Sequence, residues 1–451
     1  MKKLLRRICL LPVVVAGAHV AGHARAATVL WTNDVGQRIV SSPTVATDGT
    51  IYIGSTAALY AITNSGGIAS NKWTFGAGLS PDFSGSAAVA ADGTIYFVGG
   101  ASNALFAVNP DGTQKWTFFA GGGGGTPAIG LDNTVYFQAY TGLCAVASSG
   151  TMKWCLPVGG SGNFSSPVLG PSETIYLLSQ QPGKLYAVDT TGAQKWANEL
   201  AGSPAGLPAI GSGGIIYASE GTLYAFAPEG TNLWALDSQL SLDGPPAVDG
   251  SGTIYVSANG SHTLYAVAPS GQLMWQALYS SSKLVPSTAP AIDAAGTIWY
   301  CVSNSIVALN PQGQVIWTLF AGYDPQGFYY AGTSPAIGPD GTLYAALNTK
   351  LYAIATGTSG PARSPWPMFQ QNARHTGKIE KPSVSQPRKR SDHNFQFQLY
   401  AQLGQNQTVQ TSTDLTAWTS LTNVTVTNVP MDVVDLSASN FLSRFYRVYS
   451  Q

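Results

Sequence analysis

The sequence predicts an all-β protein assembled from many copies of one small unit, and three observations carry that expectation. Only 10% of residues are charged, against 51 glycines and 27 prolines in 451 residues, a composition that favours short strands and tight turns over long surface helices. Asp-Gly-Thr followed by an apolar pair recurs along the chain, as at Asp48-Gly49-Thr50-Ile51-Tyr52 and Asp340-Gly341-Thr342-Leu343-Tyr344. Aromatic residues fall at regular intervals with it.

The unit, about 40 residues long, opens on a residue before proline that is usually small: Ser42-Pro43, Thr126-Pro127, Ser166-Pro167, Leu207-Pro208, Pro245-Pro246, Ala289-Pro290 and Ser334-Pro335, with Ser86-Ala87 as the variant. Eight starts define eight units. The second strand follows the Asp-Gly turn, where glycine tolerates positive φ and aspartate bonds its own backbone. The third strand carries an alanine in every unit, from Ala61 to Ala353, which implies close packing between sheets. The fourth ends on a tryptophan at Trp73, Trp116, Trp154, Trp196, Trp234, Trp275 and Trp317, one short of eight. Trp31 supplies the missing one, because it precedes the first opening as Trp73 precedes the second. The expectation is an eight-bladed β-propeller closed by its N-terminal strand, which removes an edge that would invite aggregation.

These motifs resemble the pyrroloquinoline-quinone-like propeller repeat, shared by quinoprotein dehydrogenases and by the propeller lipoprotein of the outer-membrane barrel-assembly machinery. The resemblance spans residues 28–356 of a propeller read over 27–356. It implies the fold and leaves the activity open, since most bearers of the repeat do not bind the cofactor. Ser364-Pro365-Trp366-Pro367-Met368-Phe369, with Arg374-His375-Thr376-Gly377, resembles a segment found at the edge of such propellers. Residues 357–393 therefore read as a docked tail and linker, with His375 as a structural hydrogen-bonding residue and Arg388-Lys389-Arg390 as solvated linker.

Residues 394–451 alternate again and predict a small C-terminal β-sandwich-like domain, with strands over Phe395 to Ala401, Gln407 to Ser412, Trp418 to Val426 and Phe445 to Tyr449. Thr411 to Trp418 and Ala438 to Arg447 are similar to a C-terminal module common on secreted bacterial proteins. At the other end, Lys2, Lys3, Arg6 and Arg7, an apolar run from Ile8 to Val20, and Ala24-Arg25-Ala26 read as a signal peptide over residues 1–26. The protein is then expected in the periplasm, on the cell surface or outside the cell, without a transmembrane segment. Cys9 has a poor context for lipid attachment. Cys144 and Cys155 sit on successive strands of one hairpin and can pair in an oxidising compartment, leaving Cys301 unpaired.

Chemistry is harder to find. A net charge of +0 and no basic face argue against nucleic acid. The adjacent cysteine pair and the Cys-x-x-Cys-His haem site that the resemblance brings to mind are absent, so no cofactor is expected. His19, His23, His262, His375 and His393 show no zinc spacing, each Asp-Gly turn offers one carboxylate where calcium needs six or more oxygens, and no serine sits in a nucleophile elbow. The expectation is a protein that is not an enzyme; the alternatives are a quinoprotein dehydrogenase and an outer-membrane assembly scaffold.

The longest connection from an outer strand to the next inner strand carries Tyr323, Asp324, Phe328, Tyr329 and Tyr330, and other such connections add Phe83, Phe164, Tyr279 and Lys283. Aromatic faces beside charged groups suit sugar rings or peptides. A monomer that binds a protein or carbohydrate ligand on this loop face is the expectation, against packing of the same aromatics beneath their own loops.

Overall fold

The computed structural model describes residues 14–15, 27–76, 85–99, 104–119, 121, 124–140, 142–158, 165–170, 173–180, 183–201, 206–236, 240–258, 263–278, 288–302, 304–322, 333–372, 374–378, 383–384, 388–389, 394–400, 406–414, 416–425, 431–435 and 445–450. Eight sheets of the predicted pattern are present. The first blade runs Thr44–Val45, Ile51–Gly54, Leu59–Ser65 and Ile68–Phe75 from inside to outside. Six more follow within residues 88–118, 128–157, 168–199, 209–236, 247–278 and 291–320. The eighth pairs Ala336–Ile337, Thr342–Leu347 and Lys350–Ala355 with Thr28–Asp34 from the other end of the chain. That closure matches the expectation drawn from Trp31. A two-residue stretch, Val14–Val15, lies parallel to Ala277–Leu278 on the rim of the sixth blade.

The Asp-Gly-Thr turns fold for local reasons. Asp48 Oδ1 accepts the Thr50 N–H at 2.9 Å, Asp48 Oδ2 accepts the Thr50 hydroxyl at 3.0 Å, and Gly49 between them takes φ 81°. Asp92, Asp132 and Asp340 repeat the arrangement. Partial burial raises the Asp132 carboxyl, but hydrogen bonds from Lys153 and Thr134 outweigh this and hold it at about 2.

The alanine of each third strand sits between two rings. Ala187 pairs with Tyr176 on one side and Trp196 on the other, and those rings approach to 5.8 Å across it. The same triple recurs around the ring, from Tyr52, Ala61 and Trp73 at 5.6 Å to Tyr344, Ala353 and Trp31 at 6.0 Å, with Trp299 standing for tyrosine in the seventh blade. Only a methyl fits there. A bulge in the outer strand next to the tryptophan recurs at Gln114/Trp116 and at Val29/Trp31.

The tryptophans also join blades. Trp196 Nε1 donates to the Pro228 carbonyl of the next blade at 3.0 Å, and a β-carbon added at Gly230 would meet the Trp196 ring at 2.8 Å. Trp73, Trp116, Trp154, Trp234 and Trp275 make the same bond to Pro110, Ser148, Thr190, Pro269 and Pro311. Among the described residues Trp317 and Trp31 do not. The third strand of the eighth blade, Lys350–Ala355, leads into the tail and not into a fourth strand, and in the first blade the corresponding hairpin is longer, turning at Gly66-Gly67.

The C-terminal segment forms two sheets over a shared core of Phe397, Leu399, Val409 and Val433. Phe395–Tyr400, Asn406–Ser412, Thr419–Thr425 and Phe445–Ser450 follow the sequence expectation, and Met431–Asp435 is an additional strand. Arg388–Lys389, read as linker, pairs with Gln396 and Phe395. Sheet pairing uses the backbone, so a basic pair in the sequence gives little warning of it.

Replacing Ala187 with leucine should force the Tyr176 and Trp196 rings apart and lower unfolding free energy by about 1–3 kcal/mol. The same change at exposed Ala235 should stay within about 0.5 kcal/mol, both read by chemical denaturation.

Candidate functional site

The channel at the centre of the ring is lined by the eight short inner strands, and its two ends differ. At the end where the inner strands begin, the residue that opens the unit acts between blades in six of the eight units. Ser42 N–H donates to Ser86 Oγ at 2.9 Å, Thr126 N–H to Ser166 Oγ at 2.8 Å, Ala289 N–H to Ser334 Oγ at 2.9 Å, and Ser334 N–H to Ser42 Oγ at 3.1 Å. The serines thus tie the seventh, eighth, first and second blades in series, where two of the tryptophan bonds are missing. Ser219 and Ser257 in the second strands of the fifth and sixth blades donate instead to Gly244 and Thr288 carbonyls at 2.7 and 3.0 Å. Sequence reasoning missed this pair, whose signal is a serine as fourth residue of an otherwise apolar strand, as in Ile216-Tyr217-Ala218-Ser219.

In the sequence, the connections from outer strands to the next inner strands hold all the candidate binding residues. Tyr323, Asp324, Phe328, Tyr329, Tyr330, Phe83, Phe164, Tyr279 and Lys283 lie outside the described residues. What the structure gives is the rim from which those loops spring.

The opposite end, beside the Asp-Gly turns, is crossed by the tail. Carbonyls of Trp366, Pro367, Arg374, Thr376 and Gly377 accept N–H groups of Val248, Ile292, Val89, Ile129 and Leu169, at 2.7, 2.8, 2.9, 3.0 and 2.6 Å. Those are inner-strand amides of the sixth, seventh, second, third and fourth blades. Trp366, Met368 and His375 are buried in the process. The tail therefore lies across the channel and not at the edge of the propeller, a correction to the sequence reading. The inner strands present unpaired N–H groups toward the axis, and an extended segment with free carbonyls satisfies them.

His375 reaches the first blade. Thr44 Oγ1 donates to the Ala87 carbonyl at 2.8 Å, so at 2.9 Å from His375 Nδ1 it accepts, and Nδ1 carries the proton. Nε2 is then the lone-pair nitrogen, buried without a protein partner. Burial pushes the imidazole down to about 3, the Ala87 carbonyl opposing weakly, so the ring is neutral.

Cys144 and Cys155, register partners in the third blade, are joined by a disulfide. Cys301 is buried, and burial lifts its thiol to about 12, which removes it as a nucleophile.

The sequence family described as outer membrane protein assembly factor BamB matches residues 70–218 and 219–419. The chain belongs to this family. A comparison with the curated proteins finds no match. Solved structures similar to the BamB-family chain are propellers. The Dos1 propeller aligns with a TM-score of 0.55 at 9% identity, over 74% of this chain and 95% of its own. A streptogramin B lyase aligns at 0.47 and 12%, over 74% and 99%. Virginiamycin B lyase from Staphylococcus aureus gives 0.46 and 14%, over 60% and 93%. At such identities the likeness concerns the fold alone.

The expectation that the chain is not an enzyme is corrected by these neighbours, which include lyases. Propeller loops from separate blades can bring reactive groups together, and absent sequence motifs do not exclude that.

Ser42→Ala would strand the buried Ser334 N–H and should cost about 1–3 kcal/mol. The melting midpoint checks it, with exposed Ser149→Ala expected to leave that midpoint in place.

Proposed function

We propose that this BamB-family propeller is an exported binding protein that recognises a glycan or a protein segment at the loop end of its channel. The observation that carries the reading is the asymmetry of the two ends: the tail takes up inner-strand amides beside the Asp-Gly turns, which leaves the loop end as the approach for a ligand. Aromatic side chains with Asp324 and Lys283 on those loops supply apolar faces and charged edges of the kind sugars and peptides engage. Export rests on the basic residues, apolar run and Ala24-Arg25-Ala26 at the N-terminus. Among the described residues no helix is long and apolar enough to cross a membrane.

The family's description favours a second reading, a scaffold in outer-membrane protein assembly. It differs in ligand, since a scaffold of that kind binds polypeptide and not glycan.

Changing Tyr323, Phe328 and Tyr330 together to alanine should weaken binding to a ligand found on glycan and peptide arrays by about 1–3 kcal/mol. The melting temperature should hardly move, because residues that serve a ligand contribute little to the core. A sharp fall in melting with unchanged affinity would make these aromatics packing residues. Array hits confined to peptides would support the scaffold.

A further inference from the structure

The tail is held unlike any blade. Its docking rests on hydrogen bonds accepted by separate carbonyls, on the Ala362 N–H donated to the Ile292 carbonyl and on isolated bridges such as Val248 with Trp366 and Leu169 with Lys378, where each blade strand has a continuous ladder. Three non-glycine residues in it take left-handed conformations, Gln370 at φ 51°, Gln371 at 72° and His375 at 51°, a geometry that costs energy and persists only while the surroundings impose it. Both side-chain amide atoms of Gln370, which is 2% exposed, and Nε2 of His375, which is 0% exposed, are buried without a protein partner. Strain and unpaired polar atoms together oppose docking, while no blade hydrogen bond has to break for the tail to leave.

We propose that the turn-side end of the channel is a peptide-binding site which the chain fills in cis with residues 361–377, and that protonation of His375 releases this tail. The proposal does not depend on what the loop end binds.

The groups that face the imidazole are the Thr44 hydroxyl from the first blade, the Ala87 carbonyl from the second and the Phe369 ring from the tail, all uncharged. The charged side chains nearest in sequence, Arg374 and Lys378, are cations. A proton on Nε2 therefore meets no compensating charge. The folded ring titrates near 3 and a released ring near 6.5, so docking is fully favoured above pH 6.5 and weakens as pH falls from there toward 3. Well inside that window each unit lowers the docking equilibrium about tenfold, so docking at pH 5 is about 30-fold weaker than at its high-pH limit.

Amide hydrogen exchange on the full chain tests this, with rates corrected for the intrinsic effect of pH. Val89, Ile129 and Leu169 amides should open together while ladder amides of the same blades stay protected, and this opening should grow about tenfold per unit below pH 6.5. His375→Gln should flatten that dependence. Opening of these amides only together with the ladders, or one pH dependence shared by wild type and His375→Gln, would overturn the proposal. As a second arm, a labelled peptide of residues 361–378 should bind Trp366→Ala saturably and wild type at least about tenfold more weakly at pH 7.5, because the wild-type site is filled. A Trp366→Ala chain with protected ladders that takes up no peptide would remove the site, and the wild-type exchange needs no variant at all.

Discussion

The packing of two rings over one methyl group is the interaction on which the rest of this propeller depends. Within a blade, alanine in the third strand lets a tyrosine of the second strand and a tryptophan of the outer strand meet across it, as Tyr217 and Trp234 do at 5.9 Å over Ala225. The same indole then reaches out of its blade, donating to a carbonyl and lying against a glycine of the next, as Trp234 does with Pro269 and Gly271. A larger residue than alanine would displace the ring, and a larger residue than glycine would block the neighbour. One side chain thus sets both the thickness of a blade and its spacing from the next.

The junction where the two chain ends meet does not use that device fully: among the described residues Trp317 and Trp31 make no such bond to the next blade. Serine hydroxyls bond across it instead, through Ser334 and Ser42, and the tail spans blades on both sides of the axis. The consequence for function is directional. A ring tied at one end by serines is crossed at the other by its own tail, so its two ends are not equivalent. Family membership and fold agree with a recognition role, and neither excludes chemistry on the connecting loops.

Much of this was legible in the residues because it is periodic. Ala187, Trp196 and Asp48-Gly49-Thr50 recur at fixed spacing, and Trp31 could be placed by arithmetic alone. The serine contacts were not legible, since Ser42 and Ser334 are 292 residues apart and a residue before proline looks like turn chemistry. The tail was recognised as docked but put at the edge, because Trp366 to Gly377 has neither strand nor helix period to show that its carbonyls would meet inner-strand amides. The candidate site was the least legible part: loop composition names aromatic residues without fixing where their side chains point, and those loops lie outside the described residues.

The central claim is that the ring is closed by its first strand and by the indole that strand carries. Its most direct measurement is equilibrium unfolding of a chain beginning at Gly36, compared with one beginning at Ala27 by tryptophan fluorescence and circular dichroism together. The account predicts a lower midpoint, with the unfolding free energy reduced by several kcal/mol, roughly the loss of one strand's burial and pairing, and transitions by the two probes that no longer coincide. An unchanged midpoint with coincident transitions would contradict it, because a ring that does not need Trp31 is not closed in the way described.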